Sequence, residues 1–248
     1  PGTGKTRMAR KILDADFGGN GRSIQFHPGT SYEVFVGGLA PDMSQTKDVG
    51  LQFRPKMGHL LEAAEAASEN KKDYLLHIDE INRADLAKIL GEAIYLFEPN
   101  KEDREIKLSY NFGEMFPGKI CLPKNLYILG TMNSADRSIA ILDLAVRRRF
   151  AFLTLWPDPQ VVRDQGDELM QEAFQKLLSL FVEQAPDDGF VLLPGHAYFL
   201  KKKASDSAKI LLASTLRPLL FEYLQQGHVA SFADEIRAYL DWLDTKIG

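Results

Sequence analysis

Two carboxylates stand side by side where an apolar run ends: Asp79 and Glu80, within Tyr74–Arg83, YLLHIDEINR. A short apolar run closed by Asp-Glu fits a central parallel strand whose carboxyl end opens into the crevice where α/β sheets bind ligands. In a nucleotide-hydrolysing site Asp79 would hold Mg²⁺ through water, and Glu80 would orient and deprotonate the attacking water. The pair equally fits a solvated strand end before a turn, so its meaning depends on what else the chain carries.

The chain opens with Pro1-Gly2-Thr3-Gly4-Lys5-Thr6, the later part of the phosphate-binding pattern G-x-x-x-x-G-K-[ST], followed by Arg7. Gly2 and Gly4 let backbone N–H groups close round phosphates. Lys5 places a charge on the β/γ oxygens, and Thr6 offers its hydroxyl to Mg²⁺ at a helix N-terminus. The candidate nucleotide-binding residues are therefore Pro1, Gly2, Thr3, Gly4, Lys5, Thr6 and Arg7, and the candidate metal ligands are Thr6 and Asp79. Joined to the Asp79-Glu80 strand, the loop points to a P-loop NTPase. The first Gly of the pattern would fall two residues before Pro1, the strand that feeds such a loop is missing, and there is no initiator Met. The sequence is thus expected to be a fragment of a longer protein, cut within its P-loop, that folds poorly without its missing strand.

Periodicity supplies the elements that must position these residues. Met8, Ala9, Ile12 and Leu13 give a helix over Thr6 to Asp16, stopped by Phe17-Gly18-Gly19-Asn20-Gly21. Ser23 to Phe26 reads as a short strand, Ser31 to Val36 as a small helix or turn, and Ala40 to Lys56 as a mobile loop without period. Met57, Leu60, Leu61, Ala64 and Ala67 mark an amphipathic helix that leads, as a parallel crossover, into the Tyr74 strand. Leu86, Ile89, Leu90, Ala93, Ile94 and Phe97 form the next helical stripe, with Glu92 and Glu98 turned to solvent and a stop at Pro99-Asn100. Alternation at Ile106, Leu108 and Tyr110, and again at Ile120 and Leu122, predicts a β-hairpin inserted at about 104–123.

Leu126 to Gly130 is the next core strand, and its polar tip from Thr131 lies beside Asp79-Glu80 if the two strands are neighbours. Ile139 to Val146 reads as a helix ending in Arg147-Arg148-Arg149, and Phe150 to Leu155 as the last sheet strand. Trp156-Pro157-Asp158-Pro159 marks a boundary. Helices are expected over 160–184, over 206–226 with Pro218 interrupting, and over 231–246, with a turn and short extended piece at Leu192–Phe199.

With 248 residues, 45% apolar and 26% charged, the composition is that of an ordinary globular protein. A net charge of −4 gives no electrostatic footprint for nucleic acid, and Lys201 to Lys203 reads as a solvated turn. Cys121 is the single cysteine, which excludes an internal disulfide and favours a reducing compartment. The five histidines lack ligand spacing, and no apolar run approaches the roughly twenty residues of a membrane helix. A cytoplasmic location, with no membrane partner, is the expectation.

The order of P-loop, FHPGTSYEVFVGGLAP, HIDEINRADLAKILGEAIYLFEP, LPKNLYILGTMNSADRSIAILDLAVRRRF and GHAYF resembles the McrB-like AAA+ GTPase domains of modified-cytosine restriction systems, from Pro1 to about Tyr223. MNSADRS is the most specific part. Ser134, Ala84 and His77 depart from the Thr, Gly and apolar residue usual in that family, and none is expected to touch the chemistry. The resemblance implies an α/β AAA+ fold with a parallel sheet of order 5-1-4-3-2, strand 1 missing, flanked by helices. Residues 1–156 would form the core and 157–248 a small helical lid. It also implies a homo-hexameric ring, Mg²⁺, GTP as fuel, a McrC-like endonuclease partner, and DNA reached through a domain not in this chain. By motif match Asn133 is the sensor that helps align water, and one or more of Arg147, Arg148 and Arg149 act as arginine fingers on a neighbour's nucleotide. Three consecutive arginines suit that role, because phosphoryl transfer gains from a guanidinium at the γ-phosphate; they also suit an exposed basic helix end.

Asn133 and Asp136 share the N-x-x-D spacing of the guanine-reading motif in small GTPases, but a loop at this strand tip would face the γ-phosphate rather than the base. Guanine preference therefore rests on the resemblance. An ATP-driven AAA+ remodeller of the MoxR type and an inactive fragment are the alternatives.

Overall fold

The apolar spacing behind the P-loop does produce a helix, α1 (Lys5–Ala15), which turns Ala9 inward. The structure, a computed structural model, describes residues 1–42, 52–98, 104–133, 135, 142–187, 189–201 and 207–248. It divides into two compact units: Thr6–Leu153, and Thr154–Gly248 together with Pro1–Lys5.

In the first unit the chain continues through β1 (Gly21–Gln25), α2 (Tyr32–Phe35), β2 (Gly37–Pro41), β3 (Phe53–Met57), α3 (His59–Asn70) and β4 (Tyr74–Asp79). It goes on through α4 (Leu86–Leu90), β5 (Glu105–Lys107), β6 (Lys119–Cys121), β7 (Leu126–Gly130) and α5 (Leu144–Arg147). Three strands form a parallel sheet in the order β1-β4-β7. The middle strand, β4, is buried from Tyr74 to Ile78, which is why it reads as a near-continuous apolar run rather than an alternation. Its side chains still divide by face: Tyr74, Leu76 and Ile78 join the core with Leu60, Leu61, Ala63, Ala64 and Ala67 of α3. Each of the fully buried leucines and isoleucines contributes about 1.5–3 kcal/mol by its removal from water. Gly58 admits the chain into α3, since a Cβ there would lie 2.6 Å from the carbonyl carbon of Phe35.

Several expectations need correction. Phe150 to Leu155 is not a strand: it makes no ladder with any described strand, and Leu153 is 90% exposed. An apolar run without a neighbouring edge has nothing to hydrogen-bond its backbone. The stretch 40–56 is not a loop throughout, because β2 and β3 pair antiparallel, Gly37 against Met57 and Pro41 against Phe53. That hairpin is held by its backbone ladder with most of β3 exposed, so no apolar alternation betrays it. The 86–97 stripe is α-helical only to Leu90; Gly91, at φ 49°, tightens the rest into a 3₁₀ helix. Glu98 does not turn to solvent but ion-pairs with Arg149 at 2.9 Å. The inserted hairpin forms as expected, with Ile106 opposite Ile120. Within the described residues the helix expected over 139–146 starts only at Leu144, capped by Asp143; Pro99-Asn100, Ser134, Asp136, Ile139 and Lys202-Lys203 lie outside the described residues.

The second unit is helical: α6 (Pro159–Gln165), α7 (Glu168–Gln184), α8 (Ala208–Leu211), α9 (Arg217–Gln225) and α10 (Ala233–Ile247). Asp158 and Asp167 accept from Gln160 N and Met170 N, so the predicted first helix is two capped helices parted at Gly166. Between α8 and α9 the chain takes a π-helical turn, Leu212–Leu216, just before Pro218, which has no N–H with which to continue an α ladder. The core joins Phe174, Leu177 and Phe181 of α7 to Ile236, Tyr239 and Leu243 of α10; the Tyr239 hydroxyl donates to Ala173 O at 2.9 Å. Leu192–Phe199 follows one 3₁₀ turn, Phe190–Leu192, has its short extended piece at Gly195, and ends in a second 3₁₀ turn, His196–Phe199. Among the described residues no helix is long and apolar enough to cross a membrane.

Candidate functional site

β4 delivers Asp79 to the end of the sheet, and β7 brings Thr131 beside it. Thr131 N donates to Ile78 O at 2.9 Å and Ile81 N to Thr131 O at 2.9 Å, so the turn after β4 is stitched to the tip of β7. Gly130 leaves room for that turn, since a Cβ there would lie 2.8 Å from Ile81 Cδ1. The Thr6 hydroxyl, 73 residues away in sequence, reaches Asp79 Oδ1 at 3.2 Å and Oδ2 at 3.3 Å. Asp79 Oδ1 also accepts from the Thr131 hydroxyl and, at 3.2 Å, from Glu80 N. The two residues expected to hold Mg²⁺ are therefore together, and a hydroxyl plus a carboxylate is the hard oxygen pair such an ion takes. Among the described residues no three His, Cys, Asp or Glu cluster to cage a metal by themselves.

Glu80 occupies the left-handed region at φ 52°, ψ 44°, a cost that a non-glycine residue bears only where its surroundings dictate it. Its Oε2 is buried without a hydrogen bond, 3.4 Å from Arg83 Nε. An under-satisfied carboxylate oxygen is the group a catalytic water would satisfy. Asn133 follows β7, close to the same turn: its carbonyl accepts from Asn82 Nδ2 at 3.3 Å, and its own Oδ1 from Ala135 N at 3.3 Å. Asn82 is buried, with Oδ1 unpartnered.

The arginine run does not act as one. Arg149 is fixed by Glu98 and by donation of Nη1 to Ala145 O at 2.5 Å, with only 6% of its side chain exposed. Arg148 is largely exposed, 4.0 Å from Glu98, and Arg147 lies 5.7 Å from the Phe152 ring centre. Arg7 is exposed on α1.

The loop residues Pro1–Lys5 belong to the other unit. Gly2 and Gly4 take positive φ, 77° and 79°, the conformations for which glycine was expected, and Lys5 Nζ lies 3.3 Å from the Thr3 hydroxyl. Residues 195–198 close over this loop. Gly195 N donates to Pro1 O at 2.7 Å and Ala197 N to Gly2 O at 3.0 Å. A Cβ on Gly2 would meet the Tyr198 ring at 2.8 Å, and one on Gly4 would lie 3.5 Å from His196 Nε2. His196 Nδ1 accepts from Asp158 N at 3.2 Å, so its neutral tautomer carries the proton on Nε2. GHAYF was visible in the sequence as a string, but nothing in its periodicity tied it to the loop.

His77 is the other residue that sequence reasoning set aside. It is 2% exposed in the middle of β4, with Nδ1 3.0 Å from the Ser23 hydroxyl and Nε2 3.4 Å from that of Thr131. Burial pushes its pKa down, Asp79 opposes that, and Arg10 adds to the lowering. It therefore does touch the Asp79 cluster, through Thr131. The available signal was register: Ser23 stands opposite His77, and Thr131 follows the strand on its other side.

Residues 1–150 match the AAA domain family of the dynein-related subfamily. The chain is 33% identical to the Type IV methyl-directed restriction enzyme EcoKMcrB subunit of Escherichia coli strain K12, over 90% of this chain and 52% of that protein. It is 29% identical to the Type II restriction enzyme BsuMI component YdiS of Bacillus subtilis strain 168, over 61% of this chain and 54% of that one. The chain thus spans about half the length of the curated relatives it matches.

Proposed function

From the premise that this chain belongs to the AAA domain family, dynein-related subfamily, we propose that it is the nucleotide-hydrolysing motor part of a restriction system. The observation that carries the reading is the meeting of Thr6 with Asp79, beside Glu80 and the tip of β7. Residues 1–156 serve as the motor core and 157–248 as its lid.

In this reading the Gly2–Gly4 backbone and Lys5 hold the phosphate chain, with Pro1, Thr3 and Arg7 flanking it. Thr6 and Asp79 hold Mg²⁺, which when bound neutralises charge on the β/γ oxygens. Glu80 takes the proton from the attacking water, and Asn133 orients that water. A neighbouring copy in a hexameric ring supplies the guanidinium. Arg148 and Arg147 are the residues with the freedom to do so, while Arg149 is engaged within its own subunit. GTP is the fuel, a McrC-like endonuclease the cytoplasmic partner, and DNA is reached through a separate domain.

The test is nucleotide binding and phosphate release with Mg²⁺, for wild type and Lys5→Ala, using GTP and ATP in competition. The reading expects both nucleotides to be measured against one site, GTP to win, and Lys5→Ala to lose binding of either. Preference for ATP would overturn the choice of fuel, and unchanged binding by Lys5→Ala would overturn the site.

A further inference from the structure

The proton count around Asp79 leaves His77 one arrangement. An ionised carboxylate only accepts, so Thr131, bonded to Asp79 Oδ1, must spend its single hydroxyl proton there. The Thr131 oxygen can then only accept from His77 Nε2, 3.4 Å away. With its proton on Nε2, His77 accepts at Nδ1, and the Ser23 hydroxyl at 3.0 Å donates to it. A directed chain results, Ser23 to His77 to Thr131 to Asp79, running across β1, β4 and β7. At its end Oδ1 holds the Thr131 hydroxyl and Glu80 N and shares the Thr6 hydroxyl with Oδ2, at 3.2 and 3.3 Å, so that among the described residues Oδ2 has that shared hydroxyl as its single neighbour.

We infer that His77 is a positioning residue for the metal-binding carboxylate: by holding the Thr131 hydroxyl in donation to Oδ1, it fixes the rotation of Asp79 and leaves Oδ2 for the hydrated metal ion. The inference rests on the role given to Asp79 above. An apolar side chain would fill the middle of β4 without desolvating two ring nitrogens, so a histidine there is accounted for by what its nitrogens hold. The charged groups that bear on it are Asp79 on its own strand and Arg10 on α1. Neither competes for its nitrogens, which face Ser23 and Thr131.

The experiment measures the Mg²⁺ concentration for half-maximal nucleotide hydrolysis, nucleotide affinity in EDTA, and thermal melting. The variants are His77→Leu, His77→Gln, Thr131→Val, the double His77→Leu/Thr131→Val, and Asp79→Asn. Removing the outer partner of a ligating carboxylate weakens metal binding about 10–100-fold. Thr131→Val removes that partner itself, and His77→Leu, which frees it to turn away, is expected to raise the Mg²⁺ requirement about tenfold and no more than Thr131→Val does, with affinity in EDTA unchanged. His77→Gln, whose amide can replace the Nε2 donor, is expected to stay within about threefold. The double variant should be no worse than Thr131→Val, because His77 acts through Thr131. A His77→Leu protein that melts lower but keeps its Mg²⁺ requirement would overturn the inference, as would multiplicative effects in the double variant. If His77→Leu does not fold, His77→Gln and Thr131→Val decide: a Thr131→Val protein with an unchanged Mg²⁺ requirement overturns the inference. Asp79→Asn separates the two claims. A normal Mg²⁺ requirement there defeats the metal reading itself, whereas a lost one beside an unaffected His77→Leu defeats only the role of His77.

Discussion

Gly195→Ala isolates the closure of residues 195–198 over the P-loop. Gly195 has φ −69° and ψ 163°, which any residue adopts, so alanine brings no backbone strain of its own. What it brings is a Cβ 2.0 Å from Gly2 C, 2.1 Å from Gly2 O and 2.4 Å from Thr3 N. All three neighbours are backbone, so no side chain can swing away. To reach a tolerable separation of roughly 3.4–4 Å the two segments must part by more than about 1 Å. That stretches the bonds from Gly195 N to Pro1 O and from Ala197 N to Gly2 O, now 2.7 and 3.0 Å, past hydrogen-bonding distance. Two lost bonds cost about 1–3 kcal/mol and the overpacking about 1–3 more, together on the order of 2–6 kcal/mol. In a chain of this size that lowers the melting temperature by roughly 5–15 °C. Because the displaced atoms are those of the P-loop, nucleotide affinity should fall with it. Gly113→Ala is the control: it sits at φ 114° with open space around it, so it adds strain without moving the loop, and affinity should hold. A Gly195→Ala protein that melts within a degree or two of wild type and binds nucleotide normally would refute this reasoning.

The other predictions are narrower. Arg149→Ala should cost about 1.5–3 kcal/mol by removing the 2.9 Å partner of a part-exposed Glu98 and leaving it Arg148 at 4.0 Å, whereas Arg148→Ala should leave melting nearly unchanged and lower hydrolysis. Equal melting losses in the two would contradict the division. Mixing an Arg147→Ala/Arg148→Ala protein with Lys5→Ala should restore some turnover, since the two defects fall on opposite sides of an intersubunit site; mixtures as inactive as either parent, with assembly intact, would place the arginines in cis. Burial acts to raise the pKa of Asp167, but Lys201 and the backbone N–H groups of Met170 and Leu169 outweigh it and hold the carboxyl below its usual range. Its stabilisation is therefore present above the ordinary carboxylate pKa and is lost as the pH falls through the lowered value. Asp167→Ala should melt lower than wild type at pH 7, by about 1 kcal/mol of cap energy, and the gap should close in acid. A gap that persists unchanged in strong acid would exclude an ionised cap.

What the sequence made legible was the part that phosphate chemistry dictates. The types and order of Gly2, Gly4, Lys5, Thr6, Asp79 and Glu80 are the ones expected of a phosphate loop and a hydrated cation, and the meeting of Thr6 with Asp79 is in keeping with β4 being the middle strand. The β4 run was equally readable, since a strand buried in a parallel sheet is apolar throughout; β7 is as apolar in sequence although it is only partly buried, with Tyr127 exposed. The β2–β3 hairpin was not, because an exposed backbone ladder leaves no hydrophobic pattern. Phe150–Leu155 misled for the opposite reason: its composition fits a strand, but pairing is a property of the neighbouring edge. The Gly195 closure depends on a backbone approach that composition does not encode. The role of His77 depends on register, which places Ser23 and Thr131 within reach of its two nitrogens.

The central claim is that Glu80 is the base that acts on nucleotide held by Lys5, Thr6 and Asp79. It is tested most directly by loading wild type and Glu80→Gln with one equivalent of nucleotide and Mg²⁺ and following phosphate release in a single turnover. Glu80→Gln should retain the nucleotide with an affinity within about threefold of wild type, while release slows by at least about a hundredfold. Near-normal release from a Glu80→Gln protein that binds as wild type does would contradict the account.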